Sequence, residues 1–154
     1  MKKMSVETEF EVLSFNVCNQ EMSFDVDFVE IVIDKDEITP VPKSKEVIEG
    51  VINLRGRIIP VVNLKKILGG ICQNIDSVEF RKIIITKIRD IEVGFLVENV
   101  KGVLRTSHEE IDQSFRDVDT YGKKAKGLIK KGERLVVYLD IEEILNEIIG
   151  IEEV

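Results

Sequence analysis

The sequence predicts a mainly β protein built as two small barrels of about five short strands each, with a short helix in mid-chain and a second helix near the C-terminal end. Three observations carry that prediction. Hydrophobic residues make up 44% of the 154 positions and are weighted to Ile and Val, with no Trp and two Tyr; β-branched side chains fit a pleated strand surface. Short apolar runs alternate with polar residues at period two. Finally, the phrase EGVINLRGRIIPVVNLKKILGG (49–70) returns later in the chain as KGLIKKGERLVVYLDIEEILNE (126–147), the mark of an internal duplication.

In order along the chain, EFEVLSFNV (9–17) reads as a strand. Phe10 and Val12, then Leu13, Phe15 and Val17, alternate with polar neighbours, and the slip of phase between the two sets suggests a bulge. CNQE (18–21) reads as a hairpin turn. MSFDVDFVEIVI (22–33) follows as a strand with Met22, Phe24 and Val26 on one face and Ser23, Asp25 and Asp27 on the other. Val29, Ile31 and Val100 lie past the strict alternation and are either core or groove lining. A shift of seventy-one residues lays Phe24, Val26, Asp27, Val29, Val32 and Ile33 on Phe95, Val97, Glu98, Val100, Val103 and Leu104. A shift of seventy-seven lays Gly50, Arg57, Ile58, Asn63 and Leu64 on Gly127, Arg134, Leu135, Asp140 and Ile141. KIIITKI (82–88) takes the place of EVLSFNV.

Each copy ends in a helix. Asn63 caps a short turn holding Leu64, Ile67 and Leu68, stopped by Gly69 and Gly70. In the second copy Asp140 is the N-cap with Glu143 as its capping-box partner. Ile141, Ile144, Leu145, Ile148 and Ile149 form one apolar stripe, and Gly150 is expected to end the helix. A unit of roughly seventy residues with such short strands removes its edges by curling into a barrel. The expected organisation is one domain over residues 1–154. Its halves, 9–69 and 79–149, are two barrel repeats that share a core and leave a groove between them.

Composition excludes several functions. The net charge of −7 argues against nucleic acid as partner, since neutralising phosphates needs a basic face and base stacking needs aromatic residues. Cys18 and Cys72 stand in no metal or redox spacing, so reduced thiols are expected. The opening MKKMSVETEF has no apolar run behind its lysines, and no segment reaches the length of a membrane span. A soluble, cytoplasmic protein without membrane insertion is expected.

Catalytic chemistry is hard to find. The single histidine, His108, has no nucleophile to serve and reads as an exposed residue in a helical turn. No phosphate-binding, dinucleotide, zinc-protease or C-x-x-C motif occurs. The acidic pairs at 109–110, 142–143 and 152–153 read as solvated faces. The lysine-rich segment YGKKAKGLIKKGER (121–134) could bind a phosphate or an acidic partner, but reads better as a solvated loop. No catalytic residue, cofactor or metal is expected. What remains is apolar residues in surface-prone places. ITPVPKS (38–44) is an extended, proline-punctuated loop. In NLRGRIIP, Arg55 and Gly56 form a turn tip with Arg57 beyond it. Arg55 is either an interface residue or the ion-pair partner of Glu30, and both can hold.

These phrases carry a resemblance. ITPVP, IEGVINLRG and IIPVVNL, followed in order by VGFLVENVKGVLR (93–105) and GLIKKGERLVVYLDIEEIL (127–145), closely resemble the CheW-like coupling proteins of chemotaxis, over roughly residues 9 to 149. The resemblance implies two SH3-like five-stranded barrels and a non-catalytic adaptor. Its partners would be the regulatory, CheW-like domain of the histidine kinase CheA and the cytoplasmic tip of methyl-accepting chemoreceptors. The protein would be a monomer when isolated and part of a larger, membrane-associated array when assembled. Carried over by position, receptor binding falls to Val26, Val29, Glu30, Val32, Arg55, Val97 and Val100. Arg55 matches the arginine of the family's N-L-R-G phrase. Kinase binding falls to Ile38, Val41, Pro42, Arg57 and Ile58, with a second kinase contact around Phe115. Two alternatives stand beside this reading: a scaffold of the same family for a non-chemotaxis kinase, and a small-barrel enzyme using the lysine-rich loop as an anion site.

Overall fold

KIIITKI carries three consecutive isoleucines because the strand it forms is buried on both faces at its centre. In the computed structural model, which describes residues 9–69, 79–114 and 122–153, Ile83 and Ile85 belong to one cluster of buried side chains, while Ile84 and Ile88 belong to another. Period-two alternation divides the strand between two cores. The strands in chain order are β1 (Glu9–Val17), β2 (Gln20–Asp25), β3 (Val29–Asp34), β4 (Ile48–Leu54), β5 (Arg57–Asn63), β6 (Lys82–Ile88), β7 (Ile91–Val97), β8 (Asn99–Ser107), β9 (Ile111–Asp112), β10 (Ala125–Lys131) and β11 (Arg134–Leu139). The helices are α1 (Leu64–Leu68) and α2 (Ile141–Glu153).

The fold is mainly β, as expected, and consists of a six-stranded sheet, β8-β1-β2-β11-β10-β9, and a five-stranded sheet, β3-β6-β7-β5-β4. The two orders are the same order. Under the sequence shifts, β6 and β7 correspond to β1 and β2, β3 to β8, and β4 and β5 to β10 and β11. Each sheet therefore takes its central hairpin from one copy and its flanking strands from the other, so repeats and sheets have different boundaries. On one side of each hairpin the join is a parallel pair, β5 with β7 and β2 with β11; on the other it is antiparallel, β3 with β6 and β1 with β8.

The exchange happens at a corner. MSFDVDFVEIVI, expected as one strand, is two. β2 ends at Asp25, a 3-10 turn over Val26–Phe28 bends the chain, and β3 continues in the other sheet. In the second copy Glu98 alone separates β7 from β8. The repeated phrase around Phe24 and Phe95 is thus the corner by which the chain passes between sheets. Glu98 ties it down: its N–H donates to the Asn16 carbonyl at 3.0 Å, and its carboxylate accepts from the Cys18 N–H.

Bulges recur at equivalent places. The β3–β6 register skips Glu30 and the β1–β8 register skips Lys101; β4–β5 skips Glu49 and β10–β11 skips Lys126. The phase slip in β1 is not a bulge of that strand: the extra residue, Lys101, is in β8, opposite the step between Ser14 and Phe15. The slip arises because the two faces of β1 serve different cores, Val12 one and Leu13, Phe15 and Val17 the other. The latter is the shared core, where Phe15, Phe24 and Phe95 meet with ring centroids 4.9 and 5.2 Å apart. Each sheet also curls over a cluster of its own, around Ile59, Val61 and Ile83 in one and Val12, Ile129 and Val136 in the other.

Both helix caps form. The Asn63 side chain accepts from the Lys65 N–H at 3.0 Å, and the Asp140 side chain accepts from the Glu143 N–H at 3.2 Å. The reciprocal half of the capping box is replaced, because the Asp140 N–H donates to the Lys124 carbonyl at 2.7 Å. Gly150 does not end α2, which runs to Glu153. A helical glycine costs only about 1 kcal/mol relative to alanine, and Ile144, Leu145 and Ile148 hold the helix in the shared core. The cysteine expectation also needs correction: Cys18, buried in that core, is disulfide-bonded rather than a thiol. Spacing along the chain says nothing of which sulfurs meet in space. Cys72 lies outside the described residues.

Candidate functional site

One end of the five-stranded sheet gathers most of the unusual surface. The β4–β5 hairpin turns through Arg55 and Gly56, both at positive φ (53° and 85°), and the β6–β7 hairpin turns through Arg89 and Asp90 (50° and 69°). Two-residue turns of this handedness match the twist of paired strands. Since β5 and β7 are parallel, both tips lie at the same end. The pairing of Val61 with Gly94, continued three residues back, sets Ile58 beside Ile91. Ile58 is 63% exposed and Ile91 38%. Arg57 pairs with Glu92, and Glu30 lies 3.8 Å from the same guanidinium. The end is an uncovered aliphatic pair bordered by one cation and two carboxylates.

The proline-punctuated loop straps the edge of the same sheet. Thr39 bridges Val51 by two backbone hydrogen bonds of 2.9 Å, and Ile38 packs, half-buried, against the sheet's own cluster. Gly50 (φ +153°) makes room: a Cβ there would meet the Thr39 carbonyl oxygen at 2.2 Å and Ile38 Cγ2 at 2.8 Å. Beyond this anchor Val41 and Pro42 are exposed. Ile38, Val41, Pro42, Arg57 and Ile58 thus belong to one sheet, the first three in its strap and the last two on its end. Phe115 lies outside the described residues.

The receptor candidates divide. Val26, Val29, Val32 and Val100 are half-buried and pack against the shared core, so they form its rim. Val97 is 0% exposed and lies within that core, where it shapes the rim without being reachable. It corresponds to Val26, but the second corner is a single residue and keeps Val97 inside β7. Glu30 pairs with Arg57 and not with Arg55, because Arg57 opens β5 within the sheet while Arg55 sits on the turn beyond it. Among the described residues Arg55 has no ion pair. Ile91 and Glu92 escaped the sequence reading; IEVGFLV does begin with an aliphatic beside a turn, but only the parallel pairing brings it to Ile58.

The rest of the surface offers little chemistry. Four of the five lysines of the basic segment are paired: Lys124 with Glu147, Lys126 with Asp25, Lys130 with Asp112 and Lys131 with Glu110, at 3.1 to 3.6 Å. An anion would have to break these pairs. His108 is exposed in a 3-10 turn, its ring 5.2 Å from Phe10. Burial, and then the hydrogen bond to Asp25, push the Tyr138 phenol well up, so it stays protonated. Among the described residues no cluster of three or more His, Cys, Asp or Glu could hold a metal, and no helix is long and apolar enough to cross a membrane.

Known proteins share this arrangement. The model of the CheW-like domain matches residues 11–148. The chemotaxis protein CheW of Thermotoga maritima is 54% identical over 140 residues, covering 91% of this chain and 90% of that protein. CheW of Bacillus subtilis is 29% identical over 146 residues, covering 92% and 90%. Among solved structures, the scaffolding protein TtCheW of Thermoanaerobacter tengcongensis superposes with a TM-score of 0.76 at 29% identity, over 88% of this chain and 86% of that one. The match of the family model over residues 11–148 and the 54% identity to one of its members show that the chain belongs to the CheW-like domain family.

Proposed function

We propose that this chain is the non-catalytic adaptor of a chemotaxis array, coupling the histidine kinase CheA to the cytoplasmic tips of methyl-accepting chemoreceptors. One observation carries the assignment of sites: a rigid body with a shared core offers two distinct apolar surfaces, the Ile58 end with its strap and the valine rim around Val29. The Ile58 end suits a partner of similar barrel shape, such as the regulatory domain of the kinase. Ile38, Val41, Pro42, Arg57 and Ile58 serve that contact. The rim suits the helical hairpin of a receptor tip, docked by an apolar stripe in a groove. Val26, Val29, Val32 and Val100 contact it, Val97 supports them from below, and Glu30, next to Val29 in β3, and Arg55 complete the receptor set. Coupling is then a change in how two interfaces on one body are populated, with no chemistry in this chain.

The test is co-sedimentation of the cognate kinase with receptor-bearing membranes, with and without the purified chain. Kinase should pellet in proportion to added chain and saturate. Kinase that pellets equally without the chain, or never with it, sinks the reading.

A further inference from the structure

Asp25 stands where a capping acid belongs and does not cap. It precedes the 3-10 turn Val26–Phe28, yet its side chain makes no hydrogen bond to that turn, although an aspartate at this position ordinarily accepts from the amides that follow it. The carboxylate is taken up instead from the other end of the chain. The Tyr138 hydroxyl donates to its Oδ1 at 2.8 Å, and Lys126 Nζ lies 3.6 Å from its Oδ2 and 5.0 Å from the centre of the Tyr138 ring. Both holders are fixed. Tyr138 is 7% exposed, belongs to the six-stranded sheet's own cluster and packs its ring on Phe10 at 5.5 Å. Lys126 is the residue that the β10–β11 register skips, and a bulge of this kind re-aims a side chain. The second corner has neither part: the shifts of seventy-one and seventy-seven set Leu96 against Asp25 and Val61 against Tyr138, both buried. Val26, after the held acid, is half-buried at the rim, whereas Val97, after Leu96, is inside the core.

We propose that Tyr138 and Lys126 latch Asp25 away from its own turn and so hold Val26 and Val29 in place for the receptor tip, which makes Tyr138 a positioning residue of the rim. The inference rests on the reading of that rim as the receptor surface. Two arrangements compete for one carboxylate. Held by Tyr138, Asp25 ties the end of β2 to β11; released, it is free to cap the turn, and the corner is set by the turn alone. A partner that needs the valines in their latched places binds only the latched fraction of the chain. The latch also joins two cores, since the Tyr138 ring sits in the six-stranded sheet's own cluster while Val26 and Val29 pack on the shared one.

Tyr138→Phe removes only the hydroxyl and tests the latch through two readouts. Hydrogen exchange should accelerate at the Val29 amide, which donates to the Val26 carbonyl across the turn, while the paired Ile129 and Val136 amides keep their protection. Co-sedimentation of the full chain with receptor-bearing membranes should weaken about tenfold, with the isothermal titration against the kinase's regulatory domain unchanged. A merely structural role would weaken both partners together. Asp25→Asn, which keeps an acceptor for the hydroxyl, should lose less than Asp25→Ala, and adding Tyr138→Phe to Asp25→Ala should cost nothing more, because both break one contact. Unchanged exchange at Val29, equal loss of both partners, or additive effects in the double variant would overturn the proposal. Val29→Glu separates this from a failure of the receptor reading. Where it abolishes receptor binding but Tyr138→Phe does not weaken it, the rim stands and the latch falls. Where it leaves receptor binding intact, the receptor reading fails and the positioning role goes with it. Circular dichroism of each variant confirms that it is folded.

Discussion

Replacing Ile58 by glutamate separates folding from binding, because the side chain stands 63% clear of its own protein. Burying an isoleucine completely stabilises by about 1.5–3 kcal/mol, so covering the exposed part with a partner is worth roughly 1–2 kcal/mol. Glutamate forfeits that and places another carboxylate beside Glu92 and Glu30, whose desolvation in the contact costs about 1–2 kcal/mol more. Together the loss is roughly 2–4 kcal/mol, or about 30- to 1,000-fold in Kd. The fold itself loses at most about 1 kcal/mol of strand preference, a fall in melting temperature of about 2–4 °C. Isothermal titration against the regulatory domain of the cognate CheA, with a thermal melt of each protein, reads both effects. The duplication supplies an internal control: Leu135→Glu makes the same change at the equivalent position of the other sheet, where the side chain is 53% exposed, and should leave the titration nearly unchanged. A folded Ile58→Glu that binds like wild type refutes the argument, as does a Leu135→Glu that loses as much.

The rim, strap and ion clusters give further expectations. Val29→Glu should abolish association with receptor tips while sparing the kinase titration, with some loss of stability because Val29 also packs on the shared core; retention of both partners in binding assays would remove Val29 from the groove. Gly50→Ala should lift the strap, since its Cβ would meet the Thr39 carbonyl oxygen at 2.2 Å, and destabilise by about 1–3 kcal/mol. Hydrogen exchange should accelerate at the Thr39 and Val51 amides, and unchanged exchange there would contradict the packing argument. Burial raises the affinity of the Glu21 carboxyl for its proton, but hydrogen bonds from Arg134 and Ser14 and the charges of Arg134 and Lys101 outweigh it and hold its pKa below the usual carboxylate value. The stabilisation is therefore present above the unfolded-state pKa and lost as pH falls through the depressed folded one. Glu21→Gln should lower the urea midpoint at neutral pH and flatten its decline in acid; an acid limb as steep as wild type would exclude Glu21 as its source.

Much of the local structure was legible because its causes are local. The side chains of Asn63 and Asp140 cap helices from the positions the sequence indicates. The hairpin through Arg55 and Gly56 and the one after Val17 lie where turn residues interrupt apolar runs. Ile58 was singled out by the family resemblance alone, and its exposure follows from its place one residue into the strand that leaves the turn. Gly150 misled for the opposite reason: a helix end is decided by what the preceding stripe buries, and a single glycine is too weak to override it.

The sequence by itself determined that the chain is mainly β, that it is written twice, and which residues begin and end most elements, since propensity, alternation and capping act over a few neighbouring residues. Only the tertiary structure decided which strand meets which. The exchange of central hairpins and the parallel pairing that brings Ile91 to Ile58 and Glu92 to Arg57 depend on residues far apart in the chain. The reason is that a strand buried on both faces reads as a continuous apolar run and carries no mark of its neighbour. Which of two equivalent strands it joins is settled by the corners at Val26–Phe28 and Glu98, and by the core that closes when the chain turns there.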